Sequence, residues 1–230
     1  MSINLFSEAF DYNEAIKTST FHLDSMKSEK PDDYSIIRGN WVHKTAIVNW
    51  SKVRIGEKNI IGPYACLGLN AQHKSKYSNG SIIIGNANIF REFVTVHLPT
   101  NYEKETTIGN NNYLMANAHV AHDCFMEDNV IMCNNSAIAG HTYLMQGSVL
   151  ALNSSVHQFQ IIGSWSMIGM NSCVTKNASI KPGFIYFGVP ARKICKNKVA
   201  LKRSTIDNKI LALETERFLE LRKNINGFSE

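Results

Sequence analysis

A six-residue period of aliphatic residues and methionine constrains this chain more than any other feature. It starts at Ile108 and holds at thirteen successive positions, ending at Ile180. From Ala118 onward, the residue two places earlier is small in every case except Val130 and Gln160. A period of six fits neither an α-helix nor a long strand alternation. It is typical of a coil that turns a corner in every hexapeptide, with three hexapeptides per turn, which is a parallel β-helix.

Shorter runs of the same period begin at Val42. One additional residue follows Val48, and polar insertions interrupt the period at 69–81 and 98–106. We interpret both insertions as loops that leave the solenoid.

The two ends of the chain do not follow the period. After Ile180, Lys181-Pro182-Gly183 ends the repeat, and spaced apolar residues after Ser204 predict a helical region. We therefore predict three parts: an N-terminal accessory segment at 1–40, with one short helix after Asp11, the solenoid at 41–187, and a C-terminal helical region at 188–230.

Composition excludes several classes of protein. With 44% apolar and 19% charged residues, the chain is not disordered. It has no apolar run long enough for a membrane span and no signal-like N-terminus, so we expect a cytoplasmic protein. Five cysteines without a CxxC pair predict reduced thiols. A net charge of +5 is too mild for a nucleic-acid-binding protein taken as a whole.

Four histidines can be placed against the repeat, because neighbours of an inward residue in a strand point outward. His119 and His157 each adjoin an inward valine, and His122 and His141 fall at corners. His122, His141 and His157 are about one coil apart, so we expect them near one edge of the prism. Imidazole can act as general base or acid near neutral pH. It is also the commonest metal ligand, so spacing alone leaves a zinc site open.

Four spaced motifs carry a family resemblance: R-E-F-V-T-V-H at 91–97, N-A-H-V-A-H-D-C at 117–124, N-N-x-x-x-A-G-H at 134–141 and V-H-Q-F at 156–159. They resemble the UDP-N-acetylglucosamine O-acyltransferases of lipid A, and hence lipopolysaccharide, biosynthesis, within the hexapeptide-repeat acyltransferase superfamily. The resemblance runs from about Val42 to Arg203 and includes both insertions. It implies an all-β solenoid, a left-handed parallel β-helix, assembled as a homotrimer with active sites between adjacent prisms.

The resemblance also implies a reaction. An acyl group, expected to be 3-hydroxyacyl, moves from the phosphopantetheine thioester of acyl carrier protein to the 3-hydroxyl of UDP-N-acetylglucosamine or a related sugar nucleotide. His122 matches the general base, the Gly140 N–H the oxyanion donor, and Asp123 an acid that could orient a histidine. Residues matching the lining of the sugar and acyl sites are His119, His141, His157 and Gln158. The family implies neither a bound cofactor nor a metal.

Three other segments match the family's binding residues. The first insertion keeps Gln72 and Lys76. Near the C-terminus, Asn197, Lys202 and Arg203 fit the stretch that binds the nucleotide phosphates. Met170 stands where the family limits acyl length, a glycine permitting long chains and a methionine shorter ones. We therefore predict a preference for chains of roughly ten carbons or fewer.

Departures from the family pattern leave other functions open. Pro190 stands where a histidine is expected, and the 40-residue N-terminal extension is foreign to the family. A paralogue is one reading, and a coenzyme A-dependent N-acyl or N-acetyltransferase acting on a nucleotide-linked amino sugar is the alternative. A zinc enzyme resembling the hexapeptide carbonic anhydrases and an inactive scaffold are two further classes. The stretch from Arg192 to Arg203 has six basic residues and no acidic one, which suits an acidic carrier protein or a diphosphate.

Overall fold

A corner in every hexapeptide keeps the strands short. In the computed structural model, which describes residues 33–74, 79–100 and 103–226, a residue with positive φ recurs every sixth position. From corner to corner along the chain, these residues are Asn111, Asn117, Asp123, Asn129, Asn135, His141, Gly147, Asn153, Phe159, Trp165, Asn171 and Asn177. Asparagine supplies most of them, because its short polar side chain tolerates the left-handed conformation. The predicted helix after Asp11 lies outside the described residues.

Three sheets form the faces of the prism, and their strands follow one another in rotation along the chain. The first sheet contains β1 (Tyr34–Ile37), β2 (Asn40–His43), β5 (Ile60–Ile61), β8 (Ile89–Phe90), β11 (Tyr113–Leu114), β14 (Ile131–Met132), β17 (Val149–Leu150), β20 (Met167–Ile168), β22 (Phe184–Phe187) and β23 (Arg192–Lys196). The second contains β3 (Ile47–Val48), β6 (Cys66–Leu69), β9 (Thr95–His97), β12 (His119–Val120), β15 (Ala137–Ile138), β18 (Ser155–Val156) and β21 (Cys173–Val174). The third contains β4 (Val53–Ile55), β7 (Ser81–Ile84), β10 (Glu105–Ile108), β13 (Phe125–Met126), β16 (Tyr143–Leu144) and β19 (Ile161–Ile162).

The core confirms the predicted period. All thirteen inward positions from Ile108 to Ile180 are at most 3% exposed. Strands one coil apart pair in parallel register, for example at Ile108 and Met126. The small residues two places before each inward position are also buried, except for the half-buried Ala178. Equivalent residues of successive coils therefore stack on one another along the prism.

A ladder of buried asparagines supports the first coils. The Asn40 side-chain oxygen accepts from the N–H of Asn59, Asn59 does the same for Asn88, and Asn88 for Asn112, at 2.8–2.9 Å. The ladder ends where Asn112 accepts from the N–H of Val130 at 2.7 Å. These amides satisfy backbone donors that the tight corner would otherwise bury unpaired.

The C-terminal region contains a strand as well as helices. β23 pairs antiparallel with β22, which the period did not predict. Two helices follow, α1 (Lys198–Arg203) and α2 (Asn208–Asn226), and the Asp207 carboxylate caps α2 by accepting from the Ile210 N–H at 2.8 Å. Phe218 of α2 is 1% exposed and packs in a small cluster with Met145 and Ile161. None of the helices in the described part of the chain has the length and apolar character of a membrane span.

Candidate active site

The corner after β12 brings an imidazole and a carboxylate together. His122 Nδ1 lies 2.7 Å from Asp123 Oδ2, and the Asp123 side chain has no exposed surface. Sequential strand residues point apart, but Asp123 is at a corner with φ of +58°, which allows the contact. An ionised carboxylate only accepts hydrogen bonds, so Nδ1 of His122 donates this bond, and in a neutral imidazole of that tautomer Nε2 is the acceptor nitrogen.

The second insertion holds the same carboxylate. Thr100 donates from its backbone N–H to Asp123 Oδ1 at 2.9 Å and from its hydroxyl to Oδ2 at 2.6 Å. The Asp123 N–H in turn donates to the hydroxyl of Thr106 at 3.0 Å. Burial tends to raise the pKa of Asp123, but the hydrogen bonds from His122 and Thr100 outweigh it and hold that pKa below its usual value. Asp123 is therefore a carboxylate at neutral pH.

Two more histidines surround this pair. The His141 ring lies 5.4 Å from that of His122, centroid to centroid, and stacks on Phe159 at 4.4 Å. His73, from the first insertion, lies 5.4 Å from His122. Burial lowers the pKa of His141, aided by His122 and His73 and opposed by Asp123, so this ring is neutral at pH 7.

Gly140 lies directly against the His122 ring. A Cβ at this position would overlap the imidazole, so only glycine allows the approach. The Gly140 carbonyl accepts from Phe159, but no backbone carbonyl of the described residues accepts from the Gly140 N–H. The corner thus offers a backbone donor beside a potential base.

A second histidine pair lies on β9 and β12. The rings of His97 and His119 are 5.0 Å apart and edge-on, and His119 Nδ1 is 2.7 Å from the Thr95 hydroxyl. Burial, with the neighbouring His119 and His122, lowers the pKa of His97 to about 4. Burial also lowers the pKa of His119, and His122 adds to the effect. Both rings are neutral at pH 7.

Ligand atoms of His122, Asp123 and His141 lie within 4.8 Å of one another, which is close enough to surround a metal ion. The two oxygens of Asp123 already accept from Thr100 and His122. Oδ2 accepts two of these bonds, one from the Thr100 hydroxyl and one from the His122 ring, which favours a role for this carboxylate in orienting His122. The arrangement fits an acid–base pair better than a metal centre.

A groove of about 680 Å³ opens beside the pair on the third sheet. Its walls include Asp123, His141 and three aromatic side chains, Phe125, Tyr143 and Phe159. Phe125 and Tyr143 stack with their centroids 4.8 Å apart. The groove gives a ligand both polar and apolar surface next to the candidate base.

The remaining predicted residues are distributed along the prism. His157 and Gln158 are exposed, and because Val156 pairs with Ile138, His157 stands level with Ala139 rather than on the corner. Gln72 is exposed next to His73, and Lys76 lies outside the described residues. Met170 is 51% exposed at the corner after β20.

The predicted phosphate-binding residues lie after the last coil. Lys202 is exposed and Arg203 half-buried at the end of α1. Asn197 is buried: its amide donates to the Trp165 carbonyl at 3.0 Å and its oxygen caps α1 by accepting from Ala200. The structure thus gives Asn197 a part in building the fold, with its side chain already engaged at both ends.

Sequence reasoning missed four contributors: His73, His97, Thr95 and Thr100. His73 and Thr100 come from the insertions, which follow no period, and His97 and Thr95 lie on β9 between them. The motif ending at His97 includes Thr95 and His97, and the family match at Gln72 lies next to His73, but neither match assigned these residues a role.

Comparison with known proteins gives consistent results. No family model matches the chain. An acyl-[acyl-carrier-protein]–UDP-N-acetylglucosamine O-acyltransferase from Synechocystis is 37% identical over 166 residues, 71% of this chain and 59% of the relative. The same enzyme from Burkholderia lata is 34% identical over 178 residues, 76% of this chain and 67% of the relative. The chain thus spans about 59% of the length of the first of these relatives.

Solved structures of enzymes with the same name resemble the fold of this chain. A UDP-N-acetylglucosamine acyltransferase from Bacteroides fragilis superposes with a TM-score of 0.71 at 27% identity, covering 83% of this chain and 78% of that one. The Arabidopsis enzyme gives 0.65 at 28% identity, covering 75% and 67%. The fold is the left-handed parallel β-helix that the resemblance implied. The chain belongs to the UDP-N-acetylglucosamine O-acyltransferase family.

Proposed function

We propose that this chain is a cytoplasmic acyltransferase that moves an acyl group, 3-hydroxyacyl in the first instance, from acyl carrier protein to the 3-hydroxyl of UDP-N-acetylglucosamine or a related sugar nucleotide. The observation that carries the proposal is the 2.7 Å bond between His122 and the buried Asp123, with Gly140 against the imidazole. The curated relatives are named for this reaction.

His122 acts as the general base. Its Nε2 takes the proton of the sugar hydroxyl as the oxygen attacks the thioester carbonyl, and the proton then passes to the leaving thiol. Asp123 keeps the ring in the Nδ1–H tautomer and stabilises the imidazolium that forms. Supporting this role, the pKa of Asp123 is held below its usual value, so the carboxylate is charged when the imidazole takes a proton.

Gly140 supplies the oxyanion donor. The carbonyl oxygen of the thioester gains negative charge in the tetrahedral intermediate, and a backbone N–H placed beside the base can stabilise it. The absence of a backbone acceptor for this N–H among the described residues supports the assignment. The neutral rings of His119 and His141 then line the site without repelling the imidazolium.

The phosphates are bound by a neighbouring copy. Lys202 and Arg203 lie at the end of α1, after the last coil and several coils beyond the corner that carries His122. A homotrimer with sites between prisms would bring them to the acceptor. The exposed strand β23, with Arg192, Lys193 and Lys196, offers a basic surface to an acidic carrier protein.

A crossed transfer assay tests the proposal. Carrier-protein and coenzyme A thioesters are each combined with UDP-N-acetylglucosamine and with its 3-amino analogue, and products are identified by mass. We expect transfer from the carrier protein to the hydroxyl, lost in His122→Gln and kept in His43→Gln, a histidine on the first hairpin. Transfer only from coenzyme A, or only to the amine, would replace the proposal with the N-acyltransferase alternative.

A further inference from the structure

The second insertion, residues 98–106, contacts Asp123 from both of its described ends. Thr100 donates to each of the two carboxylate oxygens, and Thr106 accepts from the Asp123 backbone N–H. Thr100 and Thr106 are 2% and 0% exposed. The described ends of this insertion therefore flank the corner that carries the carboxylate.

Thr100 places a donor on each oxygen of the Asp123 carboxylate, and its hydroxyl shares Oδ2 with the His122 ring. A single bond to His122 would leave the Asp123 side chain free to rotate about its last torsion, which is broad for a carboxylate. The N–H of Thr100 on Oδ1 at 2.9 Å limits this rotation, and its hydroxyl on Oδ2 at 2.6 Å occupies one lone pair of Oδ2 and leaves the other for His122. Oδ2 is also the atom that accepts from His122 Nδ1, so the plane set by Thr100 sets the direction of that bond.

We propose that Thr100 is a positioning residue for the base: it holds the plane of Asp123 and, through it, the orientation and the Nδ1–H tautomer of His122. The proposal rests on the proposed function, in which Nε2 of His122 must point at the acceptor hydroxyl. Thr100 itself touches neither substrate nor the reacting atoms.

The kinetic test separates positioning from folding. Thr100→Val keeps the shape and the backbone donor but removes the hydroxyl, and Thr100→Ser restores the hydroxyl. We expect Thr100→Val to lower kcat about ten- to a hundredfold with KM unchanged, since small misplacements of a reacting group cost rates of this order. Thr100→Ser should recover most of the loss.

A matched control removes a buried hydroxyl elsewhere. Ser166 is fully buried and donates to the Gly163 carbonyl at 2.7 Å in a later coil. Ser166→Ala should lower the melting temperature as Thr100→Val does, with kcat unchanged. If Thr100→Val lowers only the melting temperature, or if Thr100→Ser is as slow as Thr100→Val, the proposal is overturned.

A spectroscopic test does not depend on activity. In protein labelled with ¹⁵N-histidine, the His122 ring is assigned by its loss in His122→Gln. We expect the Nδ1–H tautomer alone in the wild type and a mixture of tautomers in Thr100→Val. An unchanged tautomer would overturn the positioning role, whereas a changed tautomer in a chain that transfers no acyl group would retain it and overturn the proposed function instead.

Discussion

From Ile108 to Ile180, each strand pairs with the strand 18 residues later, whereas from Val42 to Thr106 the partners are 19, 24 or 29 residues apart. Both regions have the same buried core. The later coils present His122, Gly140 and His141 at stacked corners. The earlier coils carry the two insertions, and one residue of each lies against the corner of His122 and Asp123: His73 beside the His122 ring and Thr100 on the Asp123 carboxylate.

The difference separates two contributions to one site. The regular region places the base and the backbone donor by repetition, because residues one coil apart occupy equivalent positions. The interrupted region supplies the groups that orient and shield them. Four predictions, from the largest expected effect to the smallest, test whether this division holds.

His122→Ala removes the base from the regular region. Loss of a general base usually costs about two to four decades in rate, and the half-buried corner leaves no core cavity, so the melting temperature should change little. Initial rates of acyl transfer and thermal melts measure both. Activity within threefold of the wild type would show that the stacked corner is not the catalytic element.

Arg203→Ala tests a residue beyond both regions. Because charge-assisted bonds to phosphate are strong, we expect the KM for the sugar nucleotide to rise about tenfold or more, with little change for the thioester. Arg54→Ala, an exposed arginine on β4, serves as the charge-matched control. A rise confined to the thioester would assign the basic stretch to the carrier protein.

Met170→Gly tests the acyl end of the regular region. Met170 follows the buried Ile168 and is 51% exposed, and the adjacent Gly169 is covered by the Phe187 ring. Since each buried methylene contributes about 0.8 kcal/mol, removing the thioether should shift the preferred chain by several methylenes and change discrimination at least about tenfold. Rates over thioesters of increasing length measure this. Equal profiles for both proteins would make Met170 a surface residue without this role.

His97→Gln probes the interrupted region through stability. The unfolded chain protonates this imidazole near its ordinary pKa of 6.5, whereas the folded protein resists protonation until about pH 4. The wild type should therefore lose stability as the pH falls through this interval, and His97→Gln should lose less. Melting temperatures across that range give the comparison, with the exposed His157→Gln as control. An identical loss in both variants would contradict the burial of His97.

The sequence predicts the regular region better than the interrupted one. The period predicted the inward positions. It also placed His122 and His141 together, because residues about one coil apart occupy equivalent positions in successive coils. It also put His157 near that edge, but the register sets it level with Ala139, since one residue decides whether a side chain stands on a strand or at a corner. The asparagines at the left-handed corners are a further signal of the coil in the sequence.

The contacts that the insertions make could not be predicted in this way. The Thr100 hydroxyl donates to Asp123, which lies 23 residues later in the sequence, and no periodicity links these two positions. Asn197 fitted a phosphate-binding pattern, yet its amide donates to the Trp165 carbonyl, a contact over 32 residues of sequence that local sequence does not reveal. Strand β23 was hidden because its residues are all exposed and carry no alternation of burial.

The most direct measurement is a double-mutant cycle on acyl transfer to UDP-N-acetylglucosamine, using His122→Ala, Asp123→Asn and the variant that combines them. If Asp123 acts through His122, its replacement slows the wild type but adds no further loss once the imidazole is gone. The account predicts a double variant as slow as His122→Ala alone. Losses that multiply would show that the two residues act independently and would contradict it.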